Sequence, residues 1–237
     1  MRLQGLRART GIAETSGHGM FLGHFGLGLA GKRLAPAVSL GTLFLAVQWA
    51  DLLFFILALL GIEHFRIAPG TTRVTPVDFY DYPISHSLAW LIVWGIVVGG
   101  LYLLIRQSRI GAVLLAAGVV SHWVLDVLVH RPDMPVLPSG PRVGLGLWNA
   151  PAATAAAEAL VFGWGIRVYL RTTRAADRTG RWSFWALVVF LVTIWVASVV
   201  GPPPPNERAM EWTGIAMWLF VPWGWWIDRH RTIVSSA

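Results

Sequence analysis

At 237 residues, 55% of them hydrophobic and only 13% charged, the chain carries about half the charge of an average soluble domain, where roughly 25% is usual. Its mean hydropathy is +0.59 and its apolar residues fall in long blocks, which excludes a soluble globular enzyme, a disordered chain and a coiled coil. The absence of cysteine also excludes disulfide staples, thiolate zinc sites and Cys nucleophiles.

In chain order, residues 1–18 read as a polar, disordered tail with Arg2, Arg7 and Arg9 and no apolar core of a signal peptide. Translation from Met20 is the alternative start, because Met20-Phe-Leu-Gly-His24 opens directly into apolar sequence. The remainder, 19–230, reads as a single helical domain. Gly19–Leu34 is Gly-rich and too short to cross a hydrocarbon core of roughly 30 Å, so it is expected to be a half-spanning or re-entrant helix. Six longer segments approach the roughly 20 residues a span requires: Pro36–Ile62, Ser85–Ile105, Ile110–His130, Pro151–Leu170, Ser183–Val200 and Met210–Ile227. The expected fold class is therefore all-α, a polytopic transmembrane bundle of about six spans plus one short helix. The longer loops, 63–84 and 131–150, hold Pro and Gly at turn positions, and Gly201-Pro-Pro-Pro-Pro205 is a stiff connector.

Net charge is +7, and all but one of the basic residues are Arg. They lie between apolar blocks, so the positive-inside rule accounts for them better than nucleic acid does. Numbering the spans in order, one side collects Lys32, Arg33, Arg106, Arg109, Arg167, the cluster from Arg171 to Arg181, Arg229 and Arg231. The other side holds Arg66, Arg73, Arg131, Arg142 and Arg208. This bias places loop 171–181 and the C-terminus in the cytoplasm. Trp182, Trp185, Trp223, Trp225 and Trp226 at one end, with Trp148 and Trp212 at the other, read as an aromatic belt.

An ionisable residue inside an apolar span costs roughly 2.5–3.5 kcal/mol. Few are present: His24 in the short helix, Asp51 and its neighbour Gln48, His86 at the start of a span, His122 and Asp126 one turn apart, and Glu158. On the topology above, Asp51, His86, His122, Asp126 and Glu158 share a depth in the outer half of the bilayer, which scattered helix glue has no reason to do. Imidazole and carboxylate on successive turns can ligate one cation; an intramembrane hydrogen bond between helices is the simpler reading. His64, His130, Asp78, Asp81 and Asp133 read as solvated loop or boundary residues, and His18 and His230 as tail and interface.

In order and spacing, His24, Asp51, His86-Ser87 and Ser121-His122 to Asp126 resemble a family of membrane-bound, metal-dependent hydrolases related to the inner-membrane LexA-binding protein. The resemblance covers about residues 20–165. Two positions depart from the family pattern: its Pro-Asp-x-Asp motif is Ala50-Asp51-Leu52-Leu53 here, and its His-Arg-Gly before His-Ser is replaced by Tyr82-Pro-Ile-Ser85. The resemblance implies an inner-membrane hydrolase of a lipid-linked or amphiphilic ester or phosphoester. His24, Asp51, His86, His122 and Asp126 would hold a divalent metal, Zn²⁺ or else Mn²⁺ or Fe²⁺, with Glu158 and Asp51 in catalysis. A small ion- or proton-linked carrier and a non-enzymatic membrane scaffold are the alternatives. The expected partners are membrane lipids and an amphiphilic substrate, not nucleic acid; the oligomeric state stays open.

Overall fold

The computed structural model describes residues 21–234; the expected tail 1–18 and the alternative start at Met20 lie outside them. Helix dominates. The chain opens with α1 (Phe21–Leu34), α2 (Leu40–Val47) and α3 (Trp49–Leu59). A hairpin of β1 (His64–Ile67) and β2 (Val77–Asp81) and the single turn α4 (Pro83–His86) follow. Then come the long helices α5 (Leu88–Arg106) and α6 (Arg109–Val129), the short pair β3 (Met134–Pro135) and β4 (Arg142–Val143), and α7 (Pro151–Thr172). Beyond β5 (Thr173–Ala175), α8 (Arg178–Val200), α9 (Glu207–Ala216) and α10 (Phe220–Arg229), the chain ends in β6 (Arg231–Ile233), antiparallel to β5.

Side-chain caps fix several helix starts by supplying an oxygen to otherwise unpartnered N–H groups. Ser87 accepts from Trp90 at the start of α5, Ser108 from Gly111 at α6, Asp177 from Gly180 at α8 and Asn206 from Ala209 at α9. Loops 63–84 and 131–150 form small hairpins at one end of the bundle, and the β5–β6 pair sits with the Arg-rich segment at the other.

The expectation of about six spans is not supported. Among the described residues three helices, α5, α6 and α8, are long and apolar enough to cross a membrane, or four if the bent pair α2–α3 is one span. Each shortfall has a local cause. Pro36–Ile62 is long enough as sequence, but it folds as α2 and α3 with a 60° bend at Gln48. Helix α7 has the length, yet Glu158 and Arg167 dilute its apolar run. Met210–Ile227 is divided by a 3-10 turn at Met217–Leu219.

The main apolar core joins α1, α2, α7, α8 and α10 through Phe25, Phe44, Phe162, Phe184 and Phe220. Helix α1 is buried along most of its length and lies directly on α7. A Cβ at Gly26 would come 2.6 Å from the Val161 carbonyl oxygen, and one at Gly165 would collide with the Gly26 backbone. This close backbone approach is the small-residue packing of membrane helices. It seats a 14-residue helix, about 21 Å long, inside the bundle.

Candidate functional site

Four elements deliver polar side chains to one point. Helix α1 brings His24, α3 brings Asp51, the last residue of α4 is His86, and α6 brings His122 and Asp126 on successive turns. His122 Nε2 lies 3.2 Å from Asp126 Oδ2 and 3.6 Å from Asp51 Oδ1. His86 Nε2 lies 3.5 Å from Asp51 Oδ1 and 3.8 Å from Asp126 Oδ2. His24 Nε2 is 3.1 Å from the other oxygen of Asp126, and its ring stacks on His122 with centroids 3.8 Å apart and planes 3° from parallel. Two overlapping sets, His24–His122–Asp126 and Asp51–His86–His122, have ligand atoms close enough to hold one ion.

The bend at Gln48 has a consequence here. At that break the Val47 carbonyl accepts the His122 Nδ1–H at 2.8 Å, which orients the ring and turns Nε2 toward the acidic pair. That nitrogen is fully buried, has no hydrogen-bond partner and faces two carboxylates. Ser85 Oγ lies 2.7 Å from His86 Nδ1, and the opposite ring nitrogen, Nε2, faces Asp51. His24, His86, His122 and Asp126 are buried, whereas the Asp51 side chain retains 26% exposure and faces the adjoining cavity.

This donor set fits a divalent cation. Ligands about 2.0–2.1 Å from a tetrahedral ion stand about 3.3 Å from one another, close to the 3.2–3.8 Å of the four contacts that His86 and His122 make with Asp51 and Asp126. Two carboxylates this close are a poor arrangement unless positive charge, on a cation or on the His122 ring, lies between them.

Glu158 stands elsewhere. Its Oε2 accepts the Gly23 N–H at 2.7 Å, and the N–H groups of Phe21 and Leu22 also turn to this carboxylate. It caps the start of α1, the helix that carries His24, and is not among the residues lining the cavity. Physically, the first N–H groups of α1 are buried against α7 and need an acceptor there.

Several residues expected to be solvated are buried instead. His130, Asp78 and Asp133 are each less than 9% exposed, because both hairpins fold down over the helix ends. His130 Nδ1 lies 2.9 Å from Asp133 Oδ1, and its ring packs on Trp148 with centroids 4.1 Å apart. Arg131 bridges Asp78 and Asp133, and Arg66 pairs with Asp78. Trp148, assigned above to the aromatic belt, is 1% exposed and belongs to this packing. Tyr82 directs its hydroxyl to the Asp133 carbonyl; burial, with the Asp133 charge adding to it, holds the phenol well above its ordinary range, so it stays a proton donor. No motif marks Tyr82 in the sequence, whereas His130 continues the i, i+4, i+8 stripe of His122 and Asp126 but lies at the end of its helix, where polar residues are common.

The polar cluster forms one end of a cavity of about 420 Å³. His24, Asp51, His86 and Asp126 line it there, and Phe54, Phe55, Met210 and Met217 make much of its apolar wall.

The family model described as YdjM inner membrane protein matches residues 83–202. That stretch holds His86, His122, Asp126 and Glu158, while His24 and Asp51 precede it. No curated protein and no solved structure matches the chain.

Proposed function

Because the chain belongs to the YdjM inner membrane protein family, we propose that it is an integral inner-membrane hydrolase, metal-dependent, acting on an amphiphilic ester or phosphoester. The observation that carries this reading is the convergence of the His122 ring, pinned by Val47, and His86 on two carboxylates beside an apolar cavity. Burying each ionised group within the bilayer costs roughly 2.5–3.5 kcal/mol, and a shared divalent cation would offset much of that cost.

In this scheme His86, His122, Asp51 and Asp126 hold the cation, Zn²⁺ best by donor type and Mn²⁺ or Fe²⁺ next. His24 orients Asp126 through its second oxygen. Glu158 keeps α1, and so His24, in place. The cation would lower the pKa of a bound water and polarise the scissile group. Tyr82 and His130 flank the cavity, the hydroxyl held on the Asp133 carbonyl and the imidazole on the Asp133 carboxylate. Topologically we propose about six crossings, counting α7 and the broken α9–α10 segment with α2–α3, α5, α6 and α8. The Arg-rich end and the C-terminus then face the cytoplasm, and the cluster lies in the outer half of the bilayer.

The direct contacts of Asp126 with His24 and His122 favour a second reading, a scaffold in which these groups only lock helices. Hydrolysis of a panel of acyl and phosphoryl esters by purified protein, with and without added Zn²⁺, separates the two. The hydrolase reading expects metal-stimulated turnover that His122→Ala and Asp126→Ala abolish. Turnover that is absent throughout, in a folded protein that binds no metal, selects the scaffold.

A further inference from the structure

Where the cavity opens is decided by the exposure of its lining. Of the side chains that the loops and hairpins contribute to it, Thr75, Tyr82, His130 and Trp148 are buried and Phe79 is half-buried, and above them lies the Arg66–Asp78–Arg131–Asp133 network. The exposed lining residues come from two helical segments facing each other at the side of the bundle. Helix α8 contributes Phe190, exposed, with the half-buried Ile194 and Ser198, one every fourth residue and therefore one stripe; α9 and the 3-10 turn contribute the exposed Thr213, Ala216 and Leu219. Phe190 is 46% and Leu219 67% exposed.

We propose that this gap is a lateral portal through which one acyl chain of a membrane lipid passes from the bilayer into the cavity. The opening lies on α8, a helix long and apolar enough to span, next to Val189, Val192 and Val196, which face outward. From Phe190 to Ser198 the rim rises about 12 Å, close to the roughly 15 Å hydrocarbon depth of one leaflet. Its side chains are apolar or weakly polar, as hydrocarbon contact requires, and no Lys, Arg, Asp or Glu lines it. Phe190 forms the sill, packed on Phe220 and Trp223 with ring centroids 6.1 and 5.6 Å away. At about 420 Å³ the cavity falls within the range of roughly 300–1,000 Å³ that small-molecule sites occupy. A chain lying in it brings the bond that links it to its headgroup toward Asp51 and His86. As a route for substrate, the portal rests on the hydrolase reading; as a lipid-binding cavity it does not.

The test is photolabelling in vesicles of phosphatidylethanolamine and phosphatidylglycerol that contain a trace of phosphatidylglycerol with a diazirine at the end of one acyl chain. Adducts are mapped by mass spectrometry. Label is expected on Met210, Met217 and Phe54 inside the cavity as well as on Val189 and Val196 outside it. Ile194→Trp should lose the inner label and keep the outer. Because the chain has no cysteine, Ser198→Cys can be folded first and then blocked with a bulky maleimide, with the same expected loss. His122→Ala should label like the parent, so a failure of hydrolysis and a failure of the portal give different results. Label confined to Val189, Val192 and Val196 in the parent, or inner label that survives both blocked variants, would overturn the portal.

Discussion

Replacing Glu158 with alanine tests whether this buried carboxylate does chemistry or holds a helix. In the structure its Oε2 takes the Gly23 N–H at 2.7 Å and serves the two preceding N–H groups of α1, while Oε1 has no partner. Glu158→Ala strands at least one buried donor, which costs about 1–3 kcal/mol. For a chain of this length each kcal/mol shifts Tm by about 2–4 °C, so thermal unfolding in detergent should fall by roughly 2–12 °C. Glu158→Gln retains a carbonyl oxygen that can accept the same bonds, and should recover most of that loss with bound metal and turnover close to the parent. An alanine variant that melts like the parent would refute the capping role. So would a glutamine variant that is fully stable but inactive, which would restore Glu158 to the chemistry.

The remaining predictions concern packing and topology. Gly165→Val places side-chain atoms in the Gly26 backbone, where neither helix can yield, so folded protein recovered from membranes should fall sharply while Gly163→Val, at a position with open space around it, should express normally; equal yields would contradict the close α1–α7 approach. A reporter active only in the periplasm, fused after Ala237, should stay inactive, and activity there would reverse the orientation and place the cluster in the inner half of the bilayer.

How much of this was legible in the sequence depends on how unusual each residue is in its setting. Asp51, His122 and Asp126 stand out because ionisable groups within apolar runs are rare, and their common depth follows from counting residues at 1.5 Å each. His86 is legible for a different reason, as it begins a span. Glu158 was equally conspicuous, but its partner is the start of α1, more than a hundred residues away, and only the Gly26–Gly165 contact brings them together. The bend at Gln48 was hidden because no Pro or Gly marks it and hydropathy averages across it. That bend exposes the Val47 carbonyl, which orients the His122 ring. His130, Asp78 and Asp133 carry the polarity of solvated loops; their burial arises from hairpins folding over the bundle, which no local pattern encodes.

Metal content tests the central claim most directly. Elemental analysis of detergent-purified protein should find about one divalent ion per chain, with His122→Ala reducing it by roughly tenfold or more and His230→Ala leaving it unchanged. A parent protein that is folded yet holds no ion after incubation with Zn²⁺, Mn²⁺ or Fe²⁺, or a His122→Ala variant that binds as much as the parent, would contradict it.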